Sequence, residues 1–419
     1  MSLAWLGYRA LAGGLGMLAP HAQWLVSSQE RASWGERLGR VEVPGGVDAW
    51  IHAASMGETL AASALLEPFR LLQPGMKVHL TATTRGGRAR LRRIDPGATL
   101  APLDMPQCTE RFFRGVKPRR LFLLETELWF HWLLRAAQHR VPAAVVSARL
   151  SPRSLKRYRT FGAPLRKLVA GLEAVLCQSE ADAERWRALG ARPERVAVVG
   201  NLKNDALVPP VASRAQARAL LGFDPARPLL VLGSLRPGEA GPLARAWRSL
   251  PADLTDAWQV AAVPRHPAAS SEVLSEAVNA GVRVVDHAPA PAGAWCWDDR
   301  LGVLASYYQA GEVAFVGGSL GRYAGHNPLE PAACGAAVVM GPHHRSQLTA
   351  VHALTPHGGL WVVKDERELV VALTRLLGDP QERERRAAAA LATAEASRGA
   401  AQRAVHQLAA WNLWPVDRT

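Results

Sequence analysis

The chain has little that ties it to disulfide, metal or nucleic-acid chemistry. Its 419 residues include four cysteines, Cys108, Cys177, Cys296 and Cys334, far apart and without CxxC or Cys/His ligand spacing. Such spacing argues against a disulfide framework or structural metal and for a reducing compartment. There is no RNP segment, zinc-finger spacing or heptad repeat, which turns the reading away from nucleic acid. Acidic residues are outnumbered: 36 Asp and Glu face 50 Lys and Arg, a formal net charge of +14. The excess is dispersed, as in RGGRARLRRI (85–94) and SPRSLKRYRT (151–160), rather than gathered in one tail. It suits acidic headgroups or phosphorylated ligands, and it also suits a GC-rich coding sequence. No low-complexity tract implies disorder. Hydrophobic residues at 48% and charged residues at 21% belong to a folded protein, long enough for two or three domains.

The N-terminus lacks a small-residue cleavage site after its apolar stretch, which argues against a signal peptide. Residues 3–26 are mostly apolar, but Arg9, Pro20 and four glycines weaken them as a spanning helix. With Trp5, Tyr8 and Trp24 near the ends, and Arg31, Arg37 and Arg40 following, the segment reads as a membrane anchor on the cytoplasmic side, with a buried soluble helix as the alternative.

From residue 49 onward, short apolar runs alternate with amphipathic stretches, the pattern of parallel sheets with crossover helices. Strands are expected at 49–54, 77–83, 120–124, 143–147, 174–178 and 196–199. After a Pro/Ala-rich linker at 204–216, more are expected at 228–233, 258–263, 282–286, 313–316, 336–340 and 360–363. The expected class is α/β, two doubly wound Rossmann-like lobes, with the chemistry on loops beyond the carboxyl ends of the strands.

Several of those loops are unusual in content. VAFVGGSLGRYAGHNPLEP reads as strand, glycine loop and helix start. Asn327 is suited to the N-cap, Pro328 to the first helical position and Glu330 to a capping box. The glycines and helix start read either as an anion pocket or as an ordinary strand-to-helix turn. In HAASMGETLAA (52–62), Glu58 opens a helix, where it either complements the dipole or takes a proton from an acceptor hydroxyl. ETELWF (125–130) ends an apolar strand with Glu125 and Glu127, for which Arg149 is a candidate partner. GNLKND (200–205) places Lys203 after a strand, either solvated or within reach of both lobes. PRHP (264–267) places Arg265 where a forked guanidinium suits a phosphate. GSLRPGE (233–239) is a further loop of this kind.

In this order, WGERLG, HAASMGE, TATTRGG, ETELW, SARLS, GNLK, PRHP, VAFVGGSL, GHNPLEP and GPH resemble the Kdo transferases, enzymes that add 3-deoxy-D-manno-octulosonic acid (Kdo) to a lipid A precursor. The resemblance implies GT-B architecture and CMP-Kdo as donor, with lipid IVA as acceptor at the anionic inner face of the bacterial inner membrane. It implies domains at 1–40 (membrane segment), 41–205 (acceptor-binding), 206–400 (donor-binding) and 401–419 (C-terminal helix and tail). Glu58 would be the general base. Glu125 and Lys203 would stabilise the transition state. Pro264, Arg265, Leu301, Gly302, Val303, Asn327, Pro328, Leu329 and Glu330 would surround CMP. Displacement by the acceptor would invert the anomeric centre. Charge neutralisation by Lys203, Arg265 and the helix end would leave no need for a metal or other cofactor, and Asp298-Asp299 reads as a loop before Arg300.

The chain departs from the family pattern at Val303 (usually Glu), at Asn204 (usually Phe), at Phe130 (usually Pro), and at His344–Gln347 after GPH (usually an aromatic-polar run). These bear on acceptor choice and on the number of sugars added. Two other readings stand beside the first: a related GT-B enzyme with another nucleotide sugar or acceptor, and a non-catalytic module binding anionic lipid. Retention of Glu58, Glu125, Lys203, Arg265 and Glu330 argues against the second.

Overall fold

The computed structural model describes residues 3–126 and 128–415, so Glu127 of ETELW and the last four residues lie outside the described residues. Two compact units emerge, one running to Ala206 and resumed from Ser397, the other Leu207–Ala396. Each is built on a seven-stranded, all-parallel sheet.

The first sheet contains β1 (Ala49–Ala53), β2 (Val78–Ala82), β3 (Thr99–Leu100), β4 (Leu121–Leu124), β5 (Ala143–Ala148), β6 (Ala174–Cys177) and β7 (Val196–Val198). Its order is β3-β2-β1-β4-β5-β6-β7. Helices cover both faces, so the strands read as unbroken apolar runs instead of alternating ones. Successive side chains still point to opposite faces. Trp50, Leu121, Leu123 and Val145 enter one core, while Ile51, Phe122, Leu124 and Val146 enter the other.

The second sheet contains β8 (Leu229–Leu235), β9 (Gln259–Pro264), β10 (Val284–Val285), β11 (Trp295–Trp297), β12 (Val313–Val316), β13 (Ala337–Met340) and β14 (Leu360–Val362), in the order β10-β11-β9-β8-β12-β13-β14. The first order reverses direction between β1 and β4, and the second between β8 and β12, with β10 lying outside β11 at the sheet edge. At such a switch point the loops leaving adjacent strands diverge and open a crevice for ligand. SMGE and ETELW follow β1 and β4, while GSLRPGE and VGGSL follow β8 and β12.

The twelve strands expected from the sequence are present, with ends shifted by a few residues. Two more, β3 and β11, are too short to show periodicity, and the 282–286 strand contracts to the two-residue edge β10. Each terminus adds to the first unit. Trp5 and Tyr8 of the helix Leu3–Leu18 pack on Phe130 at 5.7 and 4.9 Å between ring centroids. At the other end, the Asp205 carboxylate accepts the N–H groups of Ala400 and Ala401 at 3.1 and 2.7 Å and so caps the helix Ala400–Ala410. Trp414 stacks on Phe69 at 4.3 Å. Residues 401–414, within the stretch the sequence sets apart as a C-terminal helix and tail, thus contribute core to the first unit.

The remaining face of the helix Leu3–Leu18 is uncovered. Leu3, Leu11, Met17 and Leu18, with Trp24 and Leu25 just after, are between 63% and 89% exposed. At 1.5 Å per residue a 16-residue helix is about 24 Å long, short of the ~30 Å hydrocarbon layer. No helix among the described residues is long and apolar enough to cross a membrane.

Candidate active site

Glu58, Glu125 and Lys203 converge on the switch point of the first unit. β1 ends at Ala53, and the turn 54–57 leads into the helix Glu58–Leu72. Glu58 folds back on that turn. Its Oε2 accepts the Ala54 N–H at 2.8 Å and its Oε1 accepts the Ser55 hydroxyl at 2.8 Å. The residue is 7% exposed. Burial raises its pKa above the usual carboxylate range, and the nearby Glu125 charge adds to this. The bonds from Ser55 and Ala54 and the charge of Lys203 oppose it. The result is a carboxyl group that holds its proton more tightly than a surface glutamate yet lies near a cation.

Glu125 lies just past β4 in the left-handed region, φ 58°, with its N–H bonded to Val146 O at 3.0 Å. Its carboxylate forms an ion pair with Lys203. The sequence offered Arg149 as partner. Instead, Arg149 O accepts the Thr126 hydroxyl, while the ammonium beside Glu125 is that of Lys203.

Lys203 is delivered by the short 3-10 turn Leu202–Ala206. A bulge in β5 at Ser147, φ 55°, prepares that turn. Ser147 Oγ accepts the Leu202 N–H at 3.3 Å and bonds Gln178 Nε2 at 3.2 Å. Lys203 Nζ lies beside the SMGE turn, 3.6 Å from where a Cβ on Gly57 would stand, an ordinary van der Waals distance. Within β1, buried His52 bonds Thr81 and Thr83 and is held neutral by desolvation, its pKa lowered to about 3.

The nine donor candidates all belong to the second unit. Pro264 ends β9, and Arg265 follows with its side chain exposed and its N–H on Leu235 O at 2.9 Å. Its charge acts on His266, His326 and Glu330. Asn327 Oδ1 accepts the Leu329 N–H at 3.1 Å across the turn into the helix, whose N-cap falls on Pro328, one residue later than the sequence suggests. That helix, Leu329–Ala333, has five residues, and Gly335, φ 73°, follows its C-cap Cys334. Pro328 and Leu329 are buried, leaving Asn327 and Glu330 to reach solvent. Leu301, Gly302 and Val303 form a separate loop after β11. Asp298 anchors it by accepting Arg300 Nη2 at 2.6 Å and the Tyr307 hydroxyl at 2.8 Å. Asp298 thus has an arginine and a tyrosine as partners, and no group of three His, Cys, Asp or Glu side chains among the described residues could hold a metal.

Glu239 is the residue the sequence passed over. It is 0% exposed, and its carboxylate accepts N–H groups from the glycine loop after β12. The signal was present in GSLRPGE, an acid just after an apolar strand, but its contact lies some eighty residues away.

The family model for 3-deoxy-D-manno-octulosonic-acid transferase (kdotransferase) matches residues 32–206. The chain is 33% identical to the 3-deoxy-D-manno-octulosonic acid transferase of Bordetella pertussis over 97% of this chain and 95% of the relative. The chain belongs to the Kdo transferase family. A member from Chlamydophila psittaci is 30% identical over 85% of this chain and 84% of its own. Another, from Haemophilus influenzae, is 29% identical, covering 87% of each. Among solved structures, the UDP-GlcNAc 2-epimerase of Neisseria meningitidis bound to UDP-GlcNAc matches with a TM-score of 0.61 at 13% identity, over 86% of this chain and 99% of that one. Anabaena HepE in complex with UDP also gives 0.61, at 14% identity over 87% and 100%. These two establish the fold, that of the GT-B class. The Kdo transferase family makes the chain a glycosyltransferase.

Proposed function

We propose that the chain transfers Kdo from CMP-Kdo to the lipid A precursor lipid IVA, with inversion, in lipopolysaccharide biosynthesis. The observation that carries this reading is the Glu58, Lys203 and Glu125 cluster at the switch point of a Kdo transferase family member. Glu58 takes the proton of the acceptor hydroxyl as it attacks the anomeric carbon. Lys203 stabilises negative charge on the departing phosphate, and Glu125 stabilises positive charge on the sugar while holding the ammonium in place. Arg265, Asn327 and Glu330, with the 301–303 loop, bind CMP-Kdo. The side chains present supply these charges without a metal. The test is transfer of labelled Kdo to lipid IVA in detergent with EDTA present, with mass spectrometry counting the sugars added. No transfer to lipid IVA or to a Kdo-primed acceptor overturns the reading.

The same reading places the enzyme on the cytoplasmic face of the inner membrane. The uncovered face around Leu11, Leu18 and Trp24 suits a helix lying in the headgroup region, and the +14 charge suits anionic lipid. Burying one such side chain is worth about 1.5–3 kcal/mol, about 10- to 150-fold in partitioning. Replacing Leu11, Leu18 and Trp24 together by serine is expected to weaken sedimentation with phosphatidylglycerol-containing vesicles by about 1,000-fold or more, on the order of that sum. Unchanged sedimentation would remove this face from the membrane.

A further inference from the structure

The glycine loop after β12 looks in sequence like a cradle for the donor's phosphate, yet its amides are already occupied. Gly317 N–H bonds Gly233 O at 2.8 Å. Gly318 N–H bonds Glu239 Oε2 at 2.6 Å, and the N–H groups of Ser319 and Leu320 both bond Glu239 Oε1 at 2.8 Å. Arg236 N–H completes the set on Oε2 at 2.9 Å. Three consecutive amides converging on one anion are a backbone nest, the arrangement that elsewhere binds phosphate. Here the anion is a side chain of the chain itself.

We infer that Glu239 is a built-in anion that holds this nest closed and shapes the donor-binding surface from beneath, so that the donor's phosphate is met by side chains and not by the loop amides. The carboxylate joins the two loops at the switch point, those following β8 and β12. What they carry is thereby set in place. Arg236, whose N–H Glu239 holds, lays its guanidinium 4.2 Å over the Tyr323 ring. Gly318, φ 71°, approaches His326 so closely that a Cβ there would meet Cδ2 at 2.8 Å. Ser319 extends the frame, its Oγ accepting the Gly341 N–H at 2.9 Å and its O the His343 N–H at 2.9 Å. Glu239 is fully buried and touches no ligand, so it is a positioning residue. The inference rests on the donor assignment proposed above.

The experiment is Glu239→Ala, read in two ways. Without the carboxylate the three amides are free, and the nest should accept a small carboxylate from solution. Formate at about 0.2 M is expected to raise the variant's melting temperature, which chloride at equal ionic strength does not, and to leave the wild type unmoved. In transfer assays the KM for CMP-Kdo should rise by about 10- to 100-fold, on the scale of one charge-assisted hydrogen bond. The KM for lipid acceptor should hold, and formate should restore the donor KM. Glu239→Gln, which keeps the shape but loses the charge, should lie between wild type and Glu239→Ala and serves if the alanine variant does not fold. A folded variant with unchanged donor KM, or with both KM values raised and no formate effect, overturns the inference. If the wild type does not use CMP-Kdo, the donor reading falls while the formate-dependent stability still decides whether the nest is filled by Glu239.

Discussion

Glu58→Gln is expected to lower turnover by about 10²–10⁴-fold, the range a positioned general base contributes, with both KM values little changed. The amide is isosteric, keeps an oxygen for the Ala54 N–H or the Ser55 hydroxyl, and cannot accept the acceptor's proton. The fold should tolerate it. Burial, and then Glu125, raise the Glu58 pKa in the folded chain above its unfolded value. The native state therefore holds more protons across that interval, and stability falls as pH rises through it. Removing the charge should leave the melting temperature near neutral pH unchanged or higher. Wild-type turnover should climb with pH along an acid limb lying above the ordinary glutamate range, and that limb should vanish in the variant. Near-normal turnover, with the limb intact, would assign the base elsewhere.

The strands were legible because residues covered by helices on both faces must be apolar at every position, and runs such as LFLL and AAVVSA carry that demand openly. β3 and β11 were not, since two or three residues contain no period to detect. At the site, Glu58 and Lys203 stood out as charged residues immediately beyond apolar strands. Which charges pair is a different kind of information. Glu125 is near Arg149 in sequence, but the β5 bulge at Ser147 turns the 202–206 segment toward Glu125 instead. Such a bulge has no sequence mark, because serine in a strand is unremarkable until its φ is positive. The glycine loop shows the converse. Its glycines suggested open amides, yet Gly317 is required by contact, since a Cβ would stand 2.4 Å from Ser234 O. The anion occupying the next three amides comes from a loop eighty residues earlier. Composition showed a nest but could not show that it was filled.

The second large effect is expected at Lys203. Removing one preorganised electrostatic donor costs about 10²–10³ in turnover, so Lys203→Met should fall in that range, lowering kcat and kcat/KM alike because the charge it stabilises develops only in the transition state. Lys203 also opposes the burial and Glu125 charge that raise the Glu58 pKa. Without the ammonium, two carboxylates face each other unscreened, and the acid limb should move to higher pH. Glu125→Gln removes the like charge instead, and its limb should move to lower pH, toward the ordinary glutamate range. The signs are opposite although both variants break the same ion pair. A purely structural pair predicts the same loss from either side, with no shift of the limb, since each substitution merely leaves the partner unpaired. Limbs displaced in the same direction, or Lys203→Met within about threefold of wild type where 10²–10³ is expected, would confine the pair to holding the turn. Opposed limbs would make Lys203 and Glu125 a matched set that tunes the base as well as stabilising the reaction it starts.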